Sequence, residues 1–160
     1  MLDADTFRSV LGRFACGITI VTARDEAGRD HGMTVSAFCS LSLSPPLVVL
    51  CVDKTATMFD LLSTHPDIGI SILSSSQEAY SRRFADKSTE RSERFDGIAY
   101  TRGMADVVLL EGALAHLECR ITTHHDAGDH IVLFAEVDRA QPLDGRPLLY
   151  FRGGYAQLER

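Results

Sequence analysis

Gly32–Val52, GMTVSAFCSLSLSPPLVVLCV, contains no charged side chain. Its length permits a membrane span, but Pro45 and Pro46 divide it, since neither donates to a hydrogen-bonded ladder and each pushes its predecessor into extended backbone. The stretch therefore reads as strand, turn, strand. In its first part the odd positions Met33, Val35, Ala37, Cys39, Leu41 and Leu43 are apolar. The even positions Thr34, Ser36, Phe38, Ser40, Ser42 and Ser44 are hydroxyls with one aromatic. Alternation of period two predicts a strand with one face on the core. A water-facing side normally carries Lys, Glu or Arg. Small hydroxyls instead allow a flat polar ligand to approach, with Phe38 packed on it, so the second face reads either as a ligand wall or as a plain solvent face. LVVLCV, Leu47–Val52, lacks polar alternation and predicts a strand buried on both sides.

Upstream, Phe7, Val10, Leu11 and Phe14 fall on one helical face, with Asp3 or Asp5 as cap and Gly17 as stop. GITIVTA follows as a strand and ARDEAGRDH as a turn. Downstream, Thr55 or Thr57 offers an N-cap to a helix bearing Met58, Leu61 and Leu62 and closed by Pro66. DIGISIL reads as a strand, SSSQEAYSRRF as a helix capped from its serines, and ADKSTERSERFDG as a charged loop, either a lid or a solvated tether. From Ala105 the pattern is all β, through ADVVLLE, ALAHLECRIT, a HHDAGD turn, HIVLFAEV and RPLLYFRGGY. There is no repeat and no regular strand–helix alternation. The expectation is one mainly β domain over residues 1–160, an antiparallel barrel with peripheral helices.

The 160 residues include 22 acidic and 16 basic side chains, a net charge of -6. That balance argues against nucleic acid or an anionic membrane as partner. The acidic, amphipathic N-terminus lacks the order of a secretory signal, and the reading is cytoplasmic. Cys16, Cys39, Cys51 and Cys119 form no C-x-x-C pair. His124, His125, Asp126, Asp129 and His130 are metal-ligand types, but their turn-like setting favours an ordinary hairpin, and no metal is expected. No Gly-rich dinucleotide fingerprint, P-loop or nucleophile elbow occurs. On residue types alone, Lys54 and hydroxyls at a helix N-terminus suit an anion, or form a plain helix cap.

In their order and spacing, FRSVLGRFACGITIVTA, the opening stretch, DKTATMFDLL, RFADKSTERSERFDGI, the GDH of Gly128–His130 and YFRGGY resemble the flavin reductase family. That resemblance implies a six-stranded antiparallel Greek-key split barrel, a homodimer, and NAD(P)H:flavin oxidoreductase activity. FMN or FAD would be reduced by hydride from NADH or NADPH and supplied to a partner flavin-dependent monooxygenase. It places the flavin ring against Met33, Thr34, Val35, Ser36 and Ala37, where many relatives carry Ser or Asn in place of Ala37. Cys51, Val52, Asp53, Lys54, Thr55 and Thr57 match the ribityl and phosphate segment, and Phe84, Ala85 and Lys87 a further flavin loop. His130 is assigned to the nicotinamide cofactor and is the candidate catalytic position, with Arg152 and Tyr155 beside it. The alternatives on the same barrel are a non-catalytic flavin-binding electron shuttle and an FMN-dependent amine oxidase of the pyridoxamine-phosphate oxidase type.

Overall fold

A computed structural model describes residues 2–90 and 93–159. Helix α1 (Ala4–Leu11) leads into strands β1 (Cys16–Gly17), β2 (Thr19–Arg24), β3 (Asp30–Val35), β4 (Phe38–Leu43) and β5 (Pro46–Asp53). Helix α2 (Phe59–Thr64), β6 (Asp67–Ile72) and α3 (Glu78–Ala85) follow. The remainder is strand: β7 (Tyr100–Arg102), β8 (Val108–Leu110), β9 (Ala115–Ala127), β10 (His130–Pro142), β11 (Leu149–Phe151) and β12 (Gly154–Ala156).

Seven strands form one antiparallel sheet in the order β3-β2-β6-β9-β10-β5-β4. Its two edges are consecutive in sequence, joined only by Ser36 and Ala37. Three peptide steps hold the ends of β3 and β4 within about 11 Å, so the sheet must curl until its edges meet. The Cys51 N–H donates to the Ala37 carbonyl at 3.0 Å, which ties the link to β5. The ribbon predicted as one strand is thus two half-strands on either side of the seam. Counted as one broken strand, it gives the six strands of the expected barrel.

The break corrects the parity reading. Val35 is buried and Met33 packs on the core, but Ala37, Cys39, Leu41 and Leu43 are exposed. A register shift between Ser40 and Ser42 breaks the alternation, and the edge strand β4 has no layer over its outer side. Phe38 turns into the core instead of toward a ligand. β5 corrects LVVLCV in the same way: Val48, Leu50 and Val52 point inward, while Val49 and Cys51 are half-buried on the outer face.

Val21, Val35, Leu50, Val52, Ile70, Cys119 and Leu133 fill the barrel. A second cluster of Ile18, Ile20, Leu73, Phe84, Leu110 and Leu148 lies under α3, so β2 is buried on both faces. α1 starts at the Asp3 cap but ends at Gly12, not Gly17, and buries none of its residues. α2 begins at Phe59 behind an uncapped Met58, so neither Thr55 nor Thr57 caps it. HHDAGD is mostly strand, since β9 runs to Ala127 and only Gly128 and Asp129 turn. YFRGGY is a hairpin of β11 and β12 that joins β1 in a small sheet.

The β2–β3 turn is organised by Asp25, which accepts from the Arg29 N–H at 2.9 Å, from Arg29 Nε at 2.8 Å and from His31 Nε2 at 2.9 Å. These donors, the Arg29 backbone N–H foremost and His31 next, hold its carboxyl well below the ordinary carboxylate range. A depressed folded-state pKa gives stability that is present above the unfolded pKa and lost as pH falls through the folded one. Unfolding free energy should therefore decline below about pH 4, and Asp25→Asn should flatten that acid limb in urea titrations at stepped pH. Leu50, fully buried mid-barrel, should cost about 2–5 kcal/mol on truncation to Ala in the same assay.

Candidate functional site

Three segments distant in sequence converge on a slot of about 190 Å³ lined by Met33, Thr34, Asp53, Ala56, Thr57, Phe84, Ala85, Lys87 and Arg94. Its floor is β3, one side is the turn after β5, and the other is the C-terminal end of α3. Gly32 makes the close approach of floor and helix feasible: a Cβ there would stand 2.5 Å from Phe84 Cε1 and 3.1 Å from Phe95 Cζ. Phe84 and Phe95 meet edge-on with centroids 5.0 Å apart.

Several predicted residues face this slot, and others are spent on the frame. Thr34 donates its hydroxyl to the Ser81 carbonyl at 2.7 Å. Val35 and Val52 are core residues, able to contribute only backbone. Ser36 and Ala37 lie exposed at the seam beside the slot, and among the described residues neither N–H donates a backbone hydrogen bond. Cys51 sits half-buried on the outer face of β5, its thiol pushed up by burial. Asp53 accepts from the Thr55 N–H at 2.6 Å and the Thr55 hydroxyl at 2.7 Å, donors that lower its pKa.

Lys54 departs from expectation. Its ammonium contacts Asp126 at 3.0 Å and the Gly128 carbonyl at 3.1 Å, so it braces the β9–β10 hairpin and does not line the slot. Lys87 is the lysine that does, 3.5 Å from the Thr55 hydroxyl. The anion argument based on a helix N-terminus also falls, because α2 starts beyond Thr57.

His130 pairs in register with Asp53 across β10 and β5, and its Nδ1 lies 2.7 Å from Asp129 Oδ1. Its charge is among the influences lowering the Asp53 pKa, after the Thr55 donors. On the far side of Ala85 a second hollow, about 350 Å³, is lined by Arg82, Asp86, Tyr150, Gly153, Gly154 and Tyr155. Tyr155 meets the Ser81 hydroxyl at 2.7 Å and stacks under Arg82 at 4.6 Å. Arg152 holds a left-handed φ of 51° at the adjoining turn, its N–H on the Gly12 carbonyl.

Sequence reasoning missed Ala56, Ser81 and Arg94. Ser81 is fully buried and links β3 to β12. Arg94, almost fully buried, donates to the Gly32 carbonyl at 2.8 Å and to the Asp86 carbonyl at 2.9 Å, clamping floor to helix. It sits in a run that reads as solvated charge, where the adjacent Phe95 is the one hint of anchoring. The charged loop is thus pinned beside the slot at Arg94 and Phe95; Arg91 and Ser92 lie outside the described residues.

The slot's chemistry suits a flavin. Met33, Ala56 and Ala85 offer apolar contact to a ring, and Lys87 and Thr57 bring a cation and a hydroxyl to the same slot. The family model for the flavin reductase like domain matches residues 11–159. The chain belongs to the flavin reductase-like family. An NADH-dependent flavin reductase from a Rhodococcus species is 42% identical over 155 residues, spanning 95% of this chain and 85% of that protein. The reductase subunit HsaB of a flavin-dependent monooxygenase from Rhodococcus jostii is 35% identical, over 99% of this chain and 80% of its own. Among solved structures, the Streptomyces globisporus NADH:FAD oxidoreductase SgcE6, in complex with NAD and FAD fragments, matches with a TM-score of 0.91. It is 36% identical over 98% of this chain and 93% of that chain.

In this flavin reductase-like chain, Gly32→Ala should force Phe84 aside and open the floor. We expect flavin affinity to fall at least tenfold, read by flavin fluorescence titration, with thermal unfolding confirming that the barrel persists.

Proposed function

We propose that the protein is an NADH:flavin oxidoreductase that reduces FMN or FAD and releases it to a partner monooxygenase. The observation that carries this reading is the slot itself: three dispersed segments supply an apolar ring site, free seam amides and a lysine–hydroxyl end. The NADH named in the relatives favours NADH over NADPH.

When bound, the flavin accepts hydride from the nicotinamide, and the two cofactors carry the electron chemistry. The chain's part is to hold and orient. Met33 and Ala85 present the surface on which a ring would lie, with Phe84 packed behind it. The Ser36 and Ala37 N–H groups, without a backbone partner among the described residues, would donate to a carbonyl-bearing ring edge, each bond worth roughly 0.5–1.5 kcal/mol. Lys87 and Thr57 face the phosphate end. Fixing two rings in register is worth roughly 7–11 kcal/mol of barrier, so no proton-transferring side chain is required. His130 and the Tyr155 hollow flank the slot from opposite sides, where the nicotinamide cofactor would lie.

We further propose a homodimer. Leu2, Phe7, Val10, Leu11 and Phe14 of α1 and its approaches, together with Leu41 and Leu43 of β4, are exposed apolar residues. A second copy would cover them. No helix among the described residues is long and apolar enough to cross a membrane, and the four free thiols fit a reducing cytoplasm.

Steady-state assays crossing FMN and FAD with NADH and NADPH test the reading. Rapid NADH oxidation dependent on added flavin is expected. A yellow protein inert to NADH would establish the electron shuttle, and amine-driven peroxide release the oxidase. His130→Ala should raise the KM for NADH severalfold with flavin affinity nearly unchanged; unaltered NADH kinetics would remove His130 from the site.

A further inference from the structure

A fully buried hydroxyl stands in the middle of α3. Ser81 has no exposed surface. Ala85, four residues on along the same face of the helix, lines both the flavin slot and the hollow beside Tyr155. Ser81 therefore lies one turn, about 5.4 Å, below the partition between the two.

Its carbonyl and its hydroxyl are committed to opposite sides of that partition. The carbonyl accepts the Thr34 hydroxyl at 2.7 Å, and Thr34 lines the slot. The Ser81 hydroxyl meets the Tyr155 hydroxyl at 2.7 Å, and Tyr155 lines the hollow. The rest of the Tyr155 side chain is also held. It packs on the cluster under α3, Arg82 lies 4.6 Å over its ring, and Tyr150 meets it edge-on with centroids 5.6 Å apart. Arg82 is in turn anchored by Glu78 at 2.6 and 2.9 Å. Among the described residues β12 pairs with β11 alone, at the margin of the small sheet ordered β1-β11-β12. The Tyr155 side chain thus fastens that outer strand to α3.

Ser81 lines neither cavity, yet it bonds a wall of each. It can act on an occupant only through those walls. We propose that Ser81 is a positioning residue for flavin reduction, acting through Thr34 and Tyr155 to fix β3 and the β11–β12 hairpin relative to each other. This rests on the reductase reading. Removing the hydroxyl leaves both cavities lined by the same side chains, so binding should hold. What is lost is the register between the two walls, and a misplacement of about 1 Å far from the reacting atoms can cost about 10²-fold in rate. The Tyr155 hydroxyl, left without its buried partner, would let the hairpin loosen from α3.

The test compares Ser81→Ala, Tyr155→Phe and the double variant with the unaltered protein in three measurements: amide hydrogen exchange of the flavin-free protein, Kd for FMN by flavin fluorescence, and the single-turnover rate constant of flavin reduction at saturating NADH. Each single variant should speed exchange in β11 and β12 at least fivefold with β9 and β10 unchanged. Each should hold the FMN Kd within threefold and slow reduction at least fivefold. The double variant should be no slower than the slower single one, because the two hydroxyls share one bond. A loss of folded protein lowers the amplitude of a single turnover and leaves its rate constant alone, so the rate constant separates positioning from a purely structural role. Tyr155→Phe keeps the ring and keeps the test open if Ser81→Ala fails to fold. A slowing of less than fivefold, hairpin exchange accelerated less than fivefold, a larger loss of FMN binding, or losses that multiply in the double variant would each overturn the proposal. If the unaltered protein reduces no flavin with NADH, the reductase reading falls and the positioning role falls with it; an active protein whose variants react as fast overturns the positioning role alone.

Discussion

Two residues, Ser36 and Ala37, connect the opposite edges of a seven-stranded sheet, and most of the architecture follows from that shortness. A sheet whose edges are tethered within one short link cannot remain open. It curls, and its interior fills with Val, Leu and Ile. The same short link leaves the Ser36 and Ala37 N–H groups without a backbone partner among the described residues.

α3 supplies the other half of the arrangement. Ser81 bonds β3 through Thr34 and the C-terminal hairpin through Tyr155, while Arg94 and Phe95 fold the charged loop back onto Gly32. A side chain larger than hydrogen at Gly32 would separate these layers. Gly32, Phe84 and Phe95 thus pack into one wall beside the slot.

The fold class was legible because period-two patterning and turn chemistry are local signals, clear in ALAHLECRIT and at Pro45–Pro46. The parity of Gly32–Ser44 misled beyond Val35 because a seam and a register shift are tertiary events with no marker in alternation. Leu41 and Leu43 read as core for the same reason: apolar side chains look alike whether they are covered by their own chain or left for another. The segments that meet in the slot were legible through order and spacing along the whole chain, not through any single residue. Lys54 shows the limit of residue-type reasoning. A lysine beside hydroxyls suits an anion, yet this one is claimed by Asp126 on the β9–β10 hairpin, and the lysine that lines the slot is Lys87. Arg94 was invisible because a buried clamp and a solvated arginine have the same sequence context.

The scarcity of committed contacts bears on how such a site works. The slot is small, and of the two cationic side chains that line it, Lys87 and Arg94, the latter is engaged by the Gly32 and Asp86 carbonyls. In a chain of net charge -6, a dianionic phosphate gains little from long-range attraction. Under the proposed reading such restraint suits the task, because a reductase that supplies a diffusing product must release it. Tight ring burial or a second phosphate-binding lysine would lower the energy of the bound flavin without lowering the barrier to hydride transfer, and turnover would then be limited by release. Lys54, drawn into the hairpin by Asp126, keeps that second charge away.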